Sequence, residues 1–273
     1  MSGNIYLVAM AQSTQIHMYH TERPRQPMLW LLPENLTGFE TKHFCVPMAR
    51  WEELEPNKSY VMHRRQDDLR SYTSRVSVRD DYVEADLELH NHSGAVMRDV
   101  VADICCGFRN STELMTNAIE HTYVKTGGQY RRIIDTDRSA STNGVMPVYP
   151  VKGTHRSPTW EMSQSTPYGF GLSNDEVESS MVLLHNGTER EWIATFFSSA
   201  NEVWFNVAEP WHGCIHSNAF CPVLPDSHTW RIKGRMYYHE GTLDEMVAKY
   251  ATAMALMKTE CGVAPAERHT TSK

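Results

Sequence analysis

Several features that mark large classes of protein are missing from this chain. No run approaches the ~20 consecutive apolar residues that a membrane-spanning helix needs, so no membrane passage is expected. Cationic residues are outnumbered, 26 Lys and Arg against 33 Asp and Glu. The one tight basic cluster, His63-Arg64-Arg65, is offset at once by Asp67-Asp68. That balance lacks the electrostatic footprint of a nucleic-acid binder. There is no P-loop or dinucleotide fingerprint, no G-x-S-x-G elbow for a serine triad, and no C-x-x-C pair. Six cysteines in 273 residues are too sparse for the disulfide framework of a small secreted domain, and they read as reduced, buried thiols of a cytoplasmic protein. The opening MSGNIYLVAMAQ has no basic leader and reads as a first strand, not a signal peptide.

Strand patterning is abundant. In Tyr82–His90, Val83, Ala85, Leu87 and Leu89 alternate with Glu84, Asp86, Glu88 and His90. Period two over that length puts one face in a core and the other in water. Folding the chain back at Asp80-Asp81 sets Arg75 beside Asp86 and Val76 beside Ala85. A turn at Asn91-His92-Ser93-Gly94 then leads to a third run, in which Val100, Ala102, Ile104 and Cys106 alternate with Val101, Asp103 and Cys105. The three runs are expected to form one antiparallel meander. Two further hairpins are expected, one around Thr126-Gly127-Gly128 and one around Asn186-Gly187. Residues 135–175 show little regularity and read as a functional loop or a crossover.

One helix is expected, over about 242–260. Thr242-Leu-Asp-Glu245 is a capping-box pattern, Leu243, Met246, Val247, Tyr250, Met254 and Met257 recur at helical spacing, and Cys261-Gly262 with Pro265 stops it. The expected fold is all-β, a large two-sheet antiparallel sandwich spanning 1–265 as one domain, with this helix on one side and a disordered tail at 266–273.

Candidate chemistry concentrates in Glu209-Pro-Trp-His-Gly-Cys-Ile-His-Ser-Asn218, read as an irregular segment between aromatic strands. Imidazole titrates near neutrality, so His216 is the candidate proton carrier, assisted by His212 or His121, with Glu120 or Glu209 orienting or sharing the proton. Trp211 and Trp160 are the candidate platforms for a flat ligand. Arg131 and Arg132 are placed to grip an acidic group, and Asn218 to bind substrate. Both histidines could equally hold the loop through backbone hydrogen bonds, and the arginines could form a solvated ion-pair network. Zinc ligation by His212, Cys214, His216 and Cys221 has suitable ligand types but no familiar spacing. The pair His90 and His92 is favoured as a solvated turn over a metal site.

The strands Tyr82–Phe108, with Leu89-His-Asn-His-Ser93, resemble those of the galactose-mutarotase-like β-supersandwich. Cys214-Ile-His-Ser217 and Gly234-Arg-Met-Tyr-Tyr-His-Glu-Gly241 are similar to elements of an uncharacterised bacterial family, in which Asp-Pro stands where this chain has Asn218-Ala219. The resemblance implies a sheet-lined cleft for a saccharide. The expected function is therefore a carbohydrate-active enzyme, an epimerase or lyase on a sugar or sugar acid, using no cofactor. The alternatives are a non-catalytic saccharide-binding or scaffold subunit and a metal-dependent cupin-like enzyme.

Overall fold

Period-two patterning becomes strand along most of the chain. The structure is a computed structural model describing residues 4–11, 13–37, 50–65, 70–154, 169–210 and 212–265. Its strands are β1 (Ile5–Ala9), β2 (Gln15–His20), β3 (Met28–Thr37), β4 (Trp51–Glu55), β5 (Ser59–Arg65), β6 (Arg70–Val78), β7 (Tyr82–Asn91), β8 (Met97–Gly107) and β9 (Thr122–Thr126). They continue as β10 (Gln129–Arg132), β11 (Pro147–Pro150), β12 (Gly171–Leu172), β13 (Val182–His185), β14 (Glu191–Phe197), β15 (Ala200–Asn206), β16 (Cys214–Leu224), β17 (His228–Glu240) and β18 (Gly262–Pro265). Two four-residue helices, α1 (Thr112–Met115) and α2 (Ala118–His121), precede β9, and α3 (Leu243–Glu260) follows β17. The short helices were not expected from the sequence, because four residues are too few to show a helical repeat.

The strands form two sheets. The first runs β1-β2-β3-β8-β16-β15-β11-β12, and the second runs β10-β9-β13-β14-β17-β7-β6-β5-β4, with β18 also pairing to β17. All pairs are antiparallel except β11 with β12. Between the sheets lies a core that includes Trp30, Ile104, Phe197, Phe205, Ile215, Trp230 and Ile232. Burying a large apolar side chain of this kind stabilises the fold by about 1.5–3 kcal/mol.

The β6–β7 hairpin has the expected register, with Arg75 opposite Asp86 and Val76 opposite Ala85. The expected meander needs a correction. β7 pairs with β6 and β17, whereas β8 pairs with β3 and β16 in the other sheet. Asn91 tethers this crossing: its Nδ2 donates to the Ala95 and Leu224 carbonyls. Alternation makes β7 and β8 each amphipathic, and two apolar faces are buried equally well by packing across a sandwich as by pairing side by side. A second correction concerns the candidate loop. Among its described residues only those before Cys214 are irregular, and from Cys214 onward it is the central strand β16.

The outer faces of the two sheets differ. On the second sheet, Met246, Ala253 and Met257 of α3 pack over Met181, Leu183, Trp192, Ala194 and Phe196, and the capping box of Thr242 with Glu245 is present. On the first sheet, many outward positions of β8, β15 and β16 are also buried, and these include Cys105, Glu202, Asn206, Cys214, His216 and Asn218.

The ring of Phe197, cross-strand from Gly234 in the second sheet, leaves no room there: an added Cβ would sit 2.1 Å from it. Gly234→Ala is expected to cost about 1–3 kcal/mol through overpacking, read as a lowered midpoint in urea unfolding with an unchanged m-value.

Candidate active site

The parity of three adjacent strands assembles the site. On β16, Ile215, Ala219 and Cys221 point into the inter-sheet core, so Cys214, His216 and Asn218 point to the opposite face. His216 lies directly opposite Cys105 of β8 and opposite Trp204 of β15. Asp103, two residues before Cys105, shares their face.

Glu34 arrives there by an irregularity. The β3–β8 register shifts between Leu31 and Asn35, so residues 32–34 form a bulge around Pro33. A bulge re-aims side chains, and here it brings the Glu34 carboxylate to 3.9 Å from His216 Nδ1. A second irregularity places Asn218. The β8–β16 ladder skips Ser217 and Asn218, and the Ile104 N–H donates to Asn218 Oδ1 instead, at 3.2 Å.

Both nitrogens of His216 are engaged. Nδ1 is 2.8 Å from Asp103 Oδ1 and Nε2 is 3.1 Å from Cys214 Sγ. The imidazole is only 5% exposed, and the Trp204 ring lies tilted beside it, 6.3 Å between centroids. Trp204 Nε1 donates to Glu202 Oε2 at 2.9 Å. Among the described residues, two buried amide atoms on this face have no hydrogen-bond partner, Asn206 Oδ1 and Asn218 Nδ2. A buried polar atom without a hydrogen bond costs about 1–3 kcal/mol, which makes these two atoms natural contacts for a polar ligand.

Charges in the cluster are strongly coupled. Burial opposes the His216 imidazolium, but the Cys105 sulfur and the Asp103 carboxylate outweigh it, and the pKa rises well above the ordinary histidine value. The Cys105 thiol is itself pushed up, by its hydrogen bond with Cys214 and by burial. It is therefore neutral near pH 7, and the group that holds the imidazolium is Asp103. Glu34 is raised by burial and then by the neighbouring Asp103 charge. His212, half-buried and four residues before His216, is lowered by burial and by His216. A carboxyl pushed up and two imidazoles pushed in opposite directions can divide the roles of acid and base.

The remaining candidates from the sequence fall elsewhere. Glu209 accepts the Ala118 N–H at 3.0 Å; it secures the start of α2 and has no contact with His216. His121 stacks on His185, 4.7 Å between centroids. Together with Glu120, Arg131 and Arg132 it lines a cleft of about 450 Å³ at the β9–β10 edge of the second sheet. His121 therefore belongs to a different cluster from His216. Arg132 is committed to Asp135, by Nε at 2.8 Å and Nη2 at 3.2 Å, an exposed pair of little energetic weight. Asn218 spends its oxygen on the sheet and offers only its Nδ2. Trp211 and Trp160 lie outside the described residues.

The proposed zinc set does not assemble, because Cys221 faces the core and its thiol donates to the Val223 carbonyl at 3.2 Å. His90 bonds Thr229 Oγ1 at 2.9 Å, and no third metal-ligating side chain joins His90 and His92 among the described residues. Glu34 and Asp103 were missed. The available signals were a proline inside an apolar strand run, which marks a bulge, and a single carboxylate between Val101 and Cys105 on an otherwise apolar stripe.

The second cluster yields a pH prediction. His185 is 2% exposed, its Nδ1 accepts the Gly187 N–H at 2.8 Å, and burial followed by the His121 charge lowers its pKa to about 4. The unfolded chain then binds a proton that the folded chain refuses between about pH 6.5 and 4. Stability is expected to fall as pH drops through that window, by up to about 1.4 kcal/mol per unit from this residue. Denaturant unfolding at several pH values should show a shallower acid slope for His185→Asn than for the unaltered chain.

No family model matches the chain, and no curated protein matches it. Solved structures do. A galactose mutarotase related enzyme from Lactobacillus acidophilus is 11% identical with a TM-score of 0.44, over 88% of this chain and 98% of that one. A candidate aldose 1-epimerase from Escherichia coli K12 is 8% identical with a TM-score of 0.48, over 85% and 98%. A protein from Synechocystis sp. PCC 6803 is 7% identical with a TM-score of 0.46, over 88% and 99%. These values describe a loosely shared arrangement of strands and carry nothing about chemistry. The family resemblance of Cys214-Ile-His-Ser217 has no support in them and stays an expectation. What the chain has of its own is an all-β sandwich of two sheets with a C-terminal helix, and a charged, hydrogen-bonded cluster on the outer face of the first.

Proposed function

We propose that this protein acts on a sugar or sugar acid, as an epimerase or lyase, at the outer face of the first sheet. The observation that carries the proposal is the Asp103–His216 hydrogen bond of 2.8 Å with Glu34 3.9 Å away, flanked by the unpartnered amide atoms of Asn206 and Asn218. A saccharide suits a site of this polarity, because its hydroxyls both donate and accept.

The roles follow from access. His216 has both nitrogens occupied and is nearly sealed, so it serves as the positioning residue that holds Asp103. Glu34, whose side chain is 27% exposed, is the group that reaches substrate and moves the proton, and His212 is the second exchangeable group. This assignment departs from the expectation that His216 itself meets the substrate. Proton transfer by a placed side chain contributes about 10²–10⁴-fold to rate.

The test is a panel of aldoses and uronic acids incubated with the protein in D₂O. NMR follows anomer exchange and deuterium uptake at carbon, and ultraviolet absorbance follows any unsaturated uronate. Accelerated conversion of at least one sugar is expected, falling about 100-fold or more in Glu34→Gln and also in His216→Ala, with unchanged circular dichroism in Glu34→Gln. No acceleration of any sugar, or undiminished turnover in Glu34→Gln, overturns the assignment. A sugar that raises the melting temperature without being converted favours the saccharide-binding subunit instead.

A further inference from the structure

The sulfur side of His216 is not used by the proton chemistry above. Cys105 Sγ, Cys214 Sγ and one nitrogen of His216 lie within 4.8 Å of one another, and all three residues are buried. They come from two neighbouring strands. Cys214 and His216 are two apart on β16, hence on one face, and Cys105 stands directly across from His216 on β8. Cys214 Sγ is 3.1 Å from His216 Nε2. In a tetrahedral zinc site, bond lengths of about 2.3 Å to sulfur and 2.0–2.1 Å to nitrogen put those two atoms about 3.5 Å apart. That pair therefore needs to separate by only a few tenths of an ångström to admit an ion.

We propose that Cys105, Cys214 and His216 form a binding site for a thiolate-preferring dication of the zinc class. Two thiolates and one neutral imidazole are a ligand set that selects zinc over magnesium or calcium. Two thiolates also balance the charge of the ion, so the loaded site buries no net charge. The outer sphere is present as well. Asp103 accepts from His216 Nδ1 at 2.8 Å, the carboxylate–histidine arrangement that fixes the tautomer leaving Nε2 free to ligate. Three protein ligands leave a fourth position open, as in zinc sites that act on substrates. A metal there supplies Lewis acidity toward a ligand oxygen.

The inference stands on the ligand geometry alone, and its test reads metal and not sugar, so it fails or survives independently of the saccharide assignment. The full chain is purified from zinc-replete cells without chelators or a histidine tag, and its metal content is measured by mass spectrometry. The chelated protein is then titrated with Co²⁺. About one zinc per chain is expected, together with a near-ultraviolet sulfur-to-cobalt charge-transfer band and the intense visible bands of tetrahedral coordination. Cys105→Ser and Cys214→Ser are expected to lose the charge-transfer intensity in steps, and the double variant to lose it entirely. Cys221→Ser, altered on the opposite face of the same strand, should keep it. Asp103→Asn is expected to keep the spectrum while weakening affinity about 10–100-fold. Absence of both bound metal and the charge-transfer band in the unaltered chain overturns the proposal, even if a serine variant fails to fold. Equal loss in Cys221→Ser overturns the ligand assignment.

Discussion

A buried imidazole pinned between a carboxylate and a thiol is the constraint around which the first sheet is arranged. An ionised group taken out of water is costly unless it is paired and hydrogen-bonded. His216 meets that condition through Asp103 on one nitrogen and Cys214 on the other. The pairing requires β8 and β16 to be neighbours in a fixed register, since a slip of one residue would turn His216 into the apolar core and Ile215 out toward Asp103. The same register sets Cys105 opposite His216 and Trp204 beside it. Packing of the inter-sheet core and assembly of the polar cluster are thus one structural event on the two faces of the same strands.

Departures from regular pairing supply what the ladder cannot. The β3 bulge carries Glu34 toward Asp103 and His216. The gap in the β8–β16 ladder lets Asn218 trade a backbone bond for a side-chain one, leaving its Nδ2 unpartnered. Both sit in otherwise well-ordered sheets, and irregularities of this kind gather where side chains must be aimed at a ligand. The other sheet has no such arrangement on its helix-covered face. There α3 lays an apolar stripe over apolar strands, and the Lys249–Asp81 and Lys233–Glu260 ion pairs tie the helix to the sandwich.

Much of the architecture could be read from residue order. Alternation in Val83–His90 set the strand and its wet face, the register of Arg75 with Asp86 followed from the turn, and Thr242 with Glu245 marked the helix start. All of these are local: each depends on side chains a few residues apart. The site was only half legible for the same reason. His216 stood out because His, Cys, Trp and Asn crowd one segment, whereas Glu34 and Asp103 are isolated carboxylates far from it in sequence, with nothing nearby to mark them as partners.

The sequence by itself determined which face of each strand is apolar, where the terminal helix begins, and that membrane passage and a nucleic-acid footprint are absent from its pattern. Only the tertiary structure decided that β7 and β8 part into different sheets, that Glu120 and His121 join Arg131 in one cluster while His216 joins Asp103 in another, and that Cys105 and not Cys221 faces Cys214. The reason is that amphipathic strands state which side to bury but not against which neighbour. Neighbours are chosen by long-range packing, and the chemistry of a site is a property of neighbours.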